Sequence, residues 1–237
     1  MASDIEVKVL STTAMKLVFE ALSPRYQRET GHRLSVSLGP SAQLEARLDQ
    51  GEAADVAILT SAGAKQLAAR GKLVTASLTD LARSAIGVGV RKGAPKPDIS
   101  SAEAFKRAML AAKAIACSKP VGGGASGAHL AQVFERLGIA EAMHAKAKYG
   151  AGGVGGLSAL FVARGEADIA IQQITELMMV DGIDVVGPLP ADIQSITLFT
   201  AAIPNGAGHA DAGRALIEFL TAPAAKAVIK AKGLEPV

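Results

Sequence analysis

Ile5-Glu6-Val7-Lys8-Val9-Leu10-Ser11-Thr12-Thr13-Ala14-Met15 is the stretch that decides the fold class. Its first six residues alternate in the manner of a strand with one buried face. Hydroxyl residues follow, and apolar side chains then fall at Met15, Val18, Phe19, Leu22 and Tyr26, which is helical spacing. A helix leaves its first N–H groups unbonded, so Ser11, Thr12 and Thr13 are expected to cap it. Gly31 ends that helix, and Leu34 to Leu38 reads as a second strand. Gly39-Pro40-Ser41 opens a helix over Ala42 to Gln50, closed by Gly51, and Asp55 to Leu59 is a short buried strand ending in Thr60-Ser61. Strand, helix, strand, helix, strand implies a parallel α/β sheet.

The same grammar returns further along. Ala85 to Val90 is a strand, and Ser100-Ser101-Ala102-Glu103 is a capping box with Phe105, Ala108 and Met109 behind it. Ala114 to Cys117 is a strand, Gly122 to Gly127 leads into a helix over Ala128 to Leu137, and Gly150 to Gly156 opens a helix over Leu157 to Arg164. Asp168 to Gln172 and Ser195 to Ile203 complete the strands, followed by two helices divided near Pro223. Leu48-Asp49-Gln50-Gly51-Glu52-Ala53-Ala54-Asp55-Val56-Ala57-Ile58 matches Val162-Ala163-Arg164-Gly165-Glu166-Ala167-Asp168-Ile169-Ala170-Ile171. The spacing is far too long for a solenoid. It predicts two similar α/β lobes, 1–83 with 194–237 and 84–193, unless the match is only common helix–Gly–strand punctuation.

Composition narrows the function classes. With 237 residues, 49% of them apolar, the chain can bury a core and is not disordered. Aromatic residues are only 3%, with no Trp, which argues against stacking on sugars or unpaired bases. A net charge of +3 over this length is no footprint for nucleic acid. The single cysteine, Cys117, excludes an internal disulfide and reads as a buried thiol rather than a nucleophile. No apolar run is long enough to span a bilayer. Met1-Ala2-Ser3-Asp4 is not a leader, so the expected location is the cytoplasm, or the periplasm if a leader was removed and replaced by Met.

Ligands of open α/β sheets sit beyond the carboxyl ends of the strands. Ser11-Thr12-Thr13, Gly39-Pro40-Ser41, Ala125-Ser126-Gly127 and Gly152-Gly153-Val154 all stand at such strand-to-helix turns. Free N–H groups and the helix dipole make these turns anion sites. Capping alone explains any one of them. Two turns from each half point instead to an anion in a cleft between lobes. No phosphate-loop ending, dinucleotide fingerprint, HExxH pair or GxSxG elbow occurs, so nucleotide, metal and elbow-serine chemistry are not expected. Of the four histidines only His129, just inside a helix, draws notice, and a solvent-facing role explains it as well.

The chain resembles the molybdate-binding-like periplasmic solute-binding proteins, the type II fold, over essentially its whole length. Val9 to Met15, Gly39 to Leu44, Gly51 to Val56, Gly165 to Gln173 and Leu216 to Ala225 with Lys232-Gly233 carry the likeness. The resemblance implies an oxyanion held by both lobes: Ser11, Thr12 or Thr13 and Ser41 or Ala42 in one, Ala125, Ser126 or Gly127, Val154 and Gln173 in the other. Where molybdate binders usually place a Tyr, this chain has Gln172-Gln173. Residues 86–98, 172–177 and 185–190 resemble an offshoot that includes proteins similar to aconitate isomerase, which needs no cofactor. That likeness implies cations for carboxylates (Lys16, Arg83 and Lys119) and a base, His129 or Glu176. A binding protein serving an ABC-type permease is the first expectation and a cofactor-free isomerase the second. A regulator's effector domain shares the fold, but no DNA-binding helix pair precedes residue 5.

Overall fold

The computed structural model describes residues 5–122 and 125–237, so Met1 to Asp4 and the Gly123-Gly124 pair of the glycine run lie outside the described residues. In chain order the first half holds β1 (Glu6–Thr12), α1 (Lys16–Thr30), β2 (Arg33–Gly39), α2 (Ser41–Asp49), β3 (Val56–Thr60), α3 (Ser61–Ala69) and β4 (Thr79–Arg91). Then come α4 (Ala102–Ala111), β5 (Ile115–Ser118), α5 (Ala125–Arg136), α6 (Ala140–Lys146), β6 (Ala147–Gly150), α7 (Ala159–Ala163), β7 (Ile169–Gln173), α8 (Ile174–Leu177) and β8 (Ile183–Pro188). The last elements are β9 (Ile196–Ala202), α9 (Ala210–Thr221), α10 (Pro223–Ala231) and β10 (Glu235–Pro236). The chain divides into two compact units, one ending at Arg83 and resuming at Thr197–Val237, the other Ser84–Ile196.

In the first unit the strands run β2-β1-β3-β9-β4, with β10 on β4. β1 is parallel to β2 and β3, while β9 is antiparallel to β3. The second unit repeats this order as β6-β5-β7-β4, with β8 on the other edge of β4. Here β5 is parallel to β6 and β7, and β4 is antiparallel to β7. Both central strands are covered on two faces. In β3, Val56 and Ile58 pack with α1 and α9, whereas Ala57 and Leu59 pack with α2 and α3. In β7, Ile169 and Ile171 meet Phe105, Leu130 and Phe134, whereas Ala170 meets Leu157, Val162 and Leu177. That two-sided cover is why these strands read as unbroken apolar runs.

The repeated acidic residue has a physical task in each unit. Asp55 carboxylate oxygens accept from the N–H of Lys8 and of His209, both at 2.8 Å, and the Asp55 N–H donates to the Lys8 carbonyl. Asp168 does the same for the neighbouring strand, accepting from Lys113 N–H at 2.6 Å and donating to the Ala114 carbonyl. Each carboxylate fixes the entry of a parallel pair. Cys117 is 3% exposed, and burial pushes its thiol up to about 12, so it is packing.

Several boundaries differ from expectation for identifiable reasons. β4 begins six residues before Ala85, because Thr79 to Ser84 gains its partners from the distant β9 and β10. The cap of α4 is Ser101, whose hydroxyl accepts from Ala104 N–H, rather than Ser100. α7 starts at Ala159, after a short 3-10 turn over Val154–Gly156. The second passage of the chain between the units falls at Ile196/Thr197.

Candidate functional site

Because β1, β3, β5, β6 and β7 run the same way within their sheets, each unit gathers its strand-to-helix turns at one sheet end. In the first unit, Thr12 pairs in register with Gly39, which places the first and second turns side by side. The expected capping does not occur there: neither end residue, Thr12 nor Met15, makes a side-chain cap bond. The chain instead enters α1 through a 3-10 turn over Thr13–Met15. Thr12 and Thr13 are 4% and 3% exposed, and their hydroxyls find no partner among the described residues. Ser11 is buried too, but its hydroxyl donates to the Thr12 carbonyl at 3.4 Å.

At the second turn Ser41 opens α2 and accepts from Thr60 N–H at 3.2 Å, which leaves its own proton to give. Ala42 is exposed on the same turn. The third turn, after β3, adds a residue that the sequence reading misses. Thr60 caps α3 by accepting from Gly63 N–H, while the next hydroxyl, Ser61 Oγ, is buried without a partner among the described residues. The repeat itself carries the signal, since Thr60 lies as far past Asp55 as Gln173 lies past Asp168.

The second unit builds the corresponding set. Ser118 ends β5 and pairs in register with Gly150 at the end of β6. Ser126, expected as a cap, instead donates to Ser118 Oγ at 3.3 Å inside α5. Gly127 is required next to it, because a Cβ would lie 2.0 Å from the Lys119 carbonyl oxygen. Ala125 begins α5. Val154 is 37% exposed in its 3-10 turn. Ser158 is fully buried, and its Oγ has no partner among the described residues. Ser84 shares that condition at 1% exposed. With Ile86 opposite Gln173, Ser84 continues past the carboxyl end of β7, so it belongs to the same sheet end. Neither Ser84 nor Ser158 is distinguishable in sequence from an ordinary strand or cap serine.

Gln172 and Gln173 close β7. Gln172 Oε1 accepts from Ala159 N–H at 3.2 Å, and its Nε2 donates to Glu176 Oε2 at 3.1 Å. Gln173 is 5% exposed and is the N-cap of α8. Burial pushes the Glu176 carboxyl up to about 7 against the opposing pull of Gln172 and the Gln173 backbone. His129 has a structural bond: its Nε2 lies 2.8 Å from the Ile193 carbonyl, which can only accept, so that nitrogen carries the proton. With Arg136, which donates to the Asp192 carbonyl, it ties α5 to the returning segment. Lys16 pairs with Glu20 on α1, whereas Arg83 and Lys119 are exposed and appear in no ion pair among the described residues. No cluster of three or more metal-ligating side chains occurs among the described residues, and no helix is long and apolar enough to cross a membrane.

A family model of bacterial extracellular solute-binding proteins matches residues 7–235. The chain belongs to that family. It is 36% identical over 236 residues to a Pseudomonas aconitate isomerase, covering 97% of this chain and 87% of that protein. The periplasmic molybdate-binding protein of Azotobacter vinelandii has the same fold, with a TM-score of 0.80 at 21% identity over 96% of this chain and 98% of its own. A sulfate-binding protein of Mycobacterium tuberculosis superposes with a TM-score of 0.77 at 16% identity, covering 98% and 87%. The chain thus has the α/β fold of these periplasmic binding proteins.

Proposed function

We propose that this member of the solute-binding family holds a small polycarboxylate of the aconitate type at its strand-end turns and hands it to an ABC-type permease. The observation that carries the reading is the set of buried hydroxyls at the carboxyl ends of the strands that have no partner among the described residues. Thr12, Thr13 and Ser61 supply it in the first unit, Ser84 and Ser158 in the second. Each unsatisfied buried hydroxyl costs about 1–3 kcal/mol, so a compact oxyanion that accepts from them offsets the cost. Gln172-Gln173 where molybdate binders usually place a Tyr, and the isomerase relative, both favour carboxylates over molybdate. Arg83 and Lys119 are cations left to meet carboxylates.

A second reading, catalysis at the same site, is favoured by Glu176. A carboxyl poised at about 7 exists in both protonation states at neutral pH, as a group that must take a proton and return it requires. In an allylic shift, ionised Glu176 would take a proton from the CH₂ carbon of aconitate. The C–H electron pair would become the new double bond, and the old one would take the proton back from Glu176 at its far carbon. No cofactor is consumed. The test is a calorimetric titration with cis- and trans-aconitate, citrate, sulfate and molybdate, followed by chromatography of each aconitate after incubation. Micromolar aconitate binding supports the first reading, and interconversion that Glu176→Gln abolishes supports the second. Binding of molybdate alone would overturn both.

A further inference from the structure

A cavity of about 610 Å³ opens within the second unit at the amino end of β7, the opposite end of that strand from Gln173 and the strand-end turns. Its size is that of a small-molecule site. Val90 and Ile169, paired in the β4–β7 ladder, line it together with Pro95, Pro97, Ala108 and Ala111. Two opposite charges, Arg91 and Asp168, line it as well. Among the described residues neither takes part in an ion pair, and the Arg91 guanidinium donates no hydrogen bond.

The repeat shows that the fold does not force this opening. In the first unit the counterpart carboxylate, Asp55, is 3% exposed and has both oxygens taken, Oδ2 by Lys8 N–H and Oδ1 by His209 N–H. Asp168 is exposed and meets Lys113 N–H and Ala114 N–H with Oδ2 alone, so Oδ1 accepts no hydrogen bond among the described residues. The turns before the two carboxylates differ as well. A Cβ on Gly51 would meet nothing within 4 Å, whereas one on Gly165 would fall 2.3 Å from Arg91 Nη2, so the guanidinium lies on that turn. Neighbouring charged groups are already engaged. Lys96 Nζ donates to the Val185 carbonyl at 3.0 Å, and Asp184, which β8 sets opposite Val90, accepts from Gly93 N–H at 2.9 Å.

An unpaired guanidinium and a free carboxylate oxygen in one apolar-lined cavity match a ligand that carries both opposite charges beside an apolar group. We propose that this cavity is a second binding site, for an apolar α-amino acid in its zwitterionic form. The ligand carboxylate accepts from Arg91, its ammonium donates to Asp168 Oδ1, and its side chain covers Pro95, Pro97, Ala108 and Ala111. A simple carboxylate would satisfy Arg91 but leave Asp168 beside a like charge, and a simple amine would do the same to Arg91. A polycarboxylate of the aconitate type is disfavoured on the same ground. The site is therefore separate from the strand-end turns in place and in ligand, and it does not depend on them.

The experiment is a titration of the isotope-labelled whole chain with L-leucine and, separately, isocaproate, which lacks only the ammonium, read by backbone-amide NMR. Saturable shifts are expected at residues 90–94 and 165–169, with none at residues 12–15 or at Ser158, and L-leucine should bind more tightly than isocaproate. Arg91→Gln should weaken both ligands by about tenfold, the loss expected for one charged hydrogen bond. Asp168→Asn keeps an oxygen for Lys113 and Ala114 N–H, so it should weaken L-leucine by about tenfold and leave isocaproate no weaker. Ala111→Phe, which fills the cavity from an exposed position, should abolish binding of both. No saturable shift with L-leucine, or shifts confined to the strand-end turns, overturns the site. Equal weakening of the two ligands in Asp168→Asn overturns the zwitterion. Because the wild-type shifts alone locate the ligand, the proposal stays decidable if a variant fails to fold.

Discussion

Ser158, Thr12, Thr13, Ser61 and Ser84 each keep a hydroxyl out of water without a partner among the described residues. A chain selected for stability alone would replace such groups with Ala or Val, because desolvation is then uncompensated. Ser158 tests this most cleanly, since its hydroxyl has no partner among the described residues that its loss would orphan and its Cβ is retained in Ala. Ser158→Ala is expected to stabilise the ligand-free protein by about 1 kcal/mol and to weaken aconitate binding by about 1–3 kcal/mol. Urea denaturation and calorimetry on one preparation measure the two numbers. Opposite signs identify a ligand hydroxyl, whereas a loss of stability with unchanged affinity would assign Ser158 to packing. Ser41 is a poorer probe, because its removal also strands Thr60 N–H.

At the level of elements, the Asp that stands just before the strand in each repeat match is an architectural residue. Asp55 is 3% exposed and receives two backbone N–H groups from β1 and the start of α9, whereas Asp168 is exposed and serves the entry to β5. Asp55→Ala should therefore cost about 2–4 kcal/mol and Asp168→Ala about 1 kcal/mol or less, read from chemical denaturation. Equal costs would show that burial does not set the difference. This repeat was the part of the fold most legible in the sequence, because Gly, Asp and a two-sided apolar strand are each forced by local physics. β6 and α6 were not legible: Met143 to Tyr149 alternates small, charged and aromatic residues with no single period, and its strand exists only through pairing with β5. The candidate site divides along the same line. Glycines and hydroxyls at strand ends could be found in sequence, but whether a hydroxyl caps or stays free depends on the local turn. Thr12 and Thr13 read as caps and are not, because the chain enters α1 through a 3-10 turn.

At the scale of the molecule, the two units have the same strand order but unequal chemistry. The first unit's strand-end turns offer neutral hydroxyls at Thr12, Thr13, Ser41 and Ser61, whereas the second adds an amide at Gln173 and a titratable acid at Glu176. Hydrogen exchange reads the two sets separately. With trans-aconitate at about a hundred times Kd, exchange should slow at the Thr12–Met15 turn and at Ser158–Leu177, with an added stability of about 2.7 kcal/mol. Thr12→Val removes a neutral donor from the first set, so it should lower the ligand-induced protection at its own turn. Protection unchanged in Thr12→Val would remove Thr12 from the ligand's partners, and protection at neither segment would overturn the strand-end turns as anion sites.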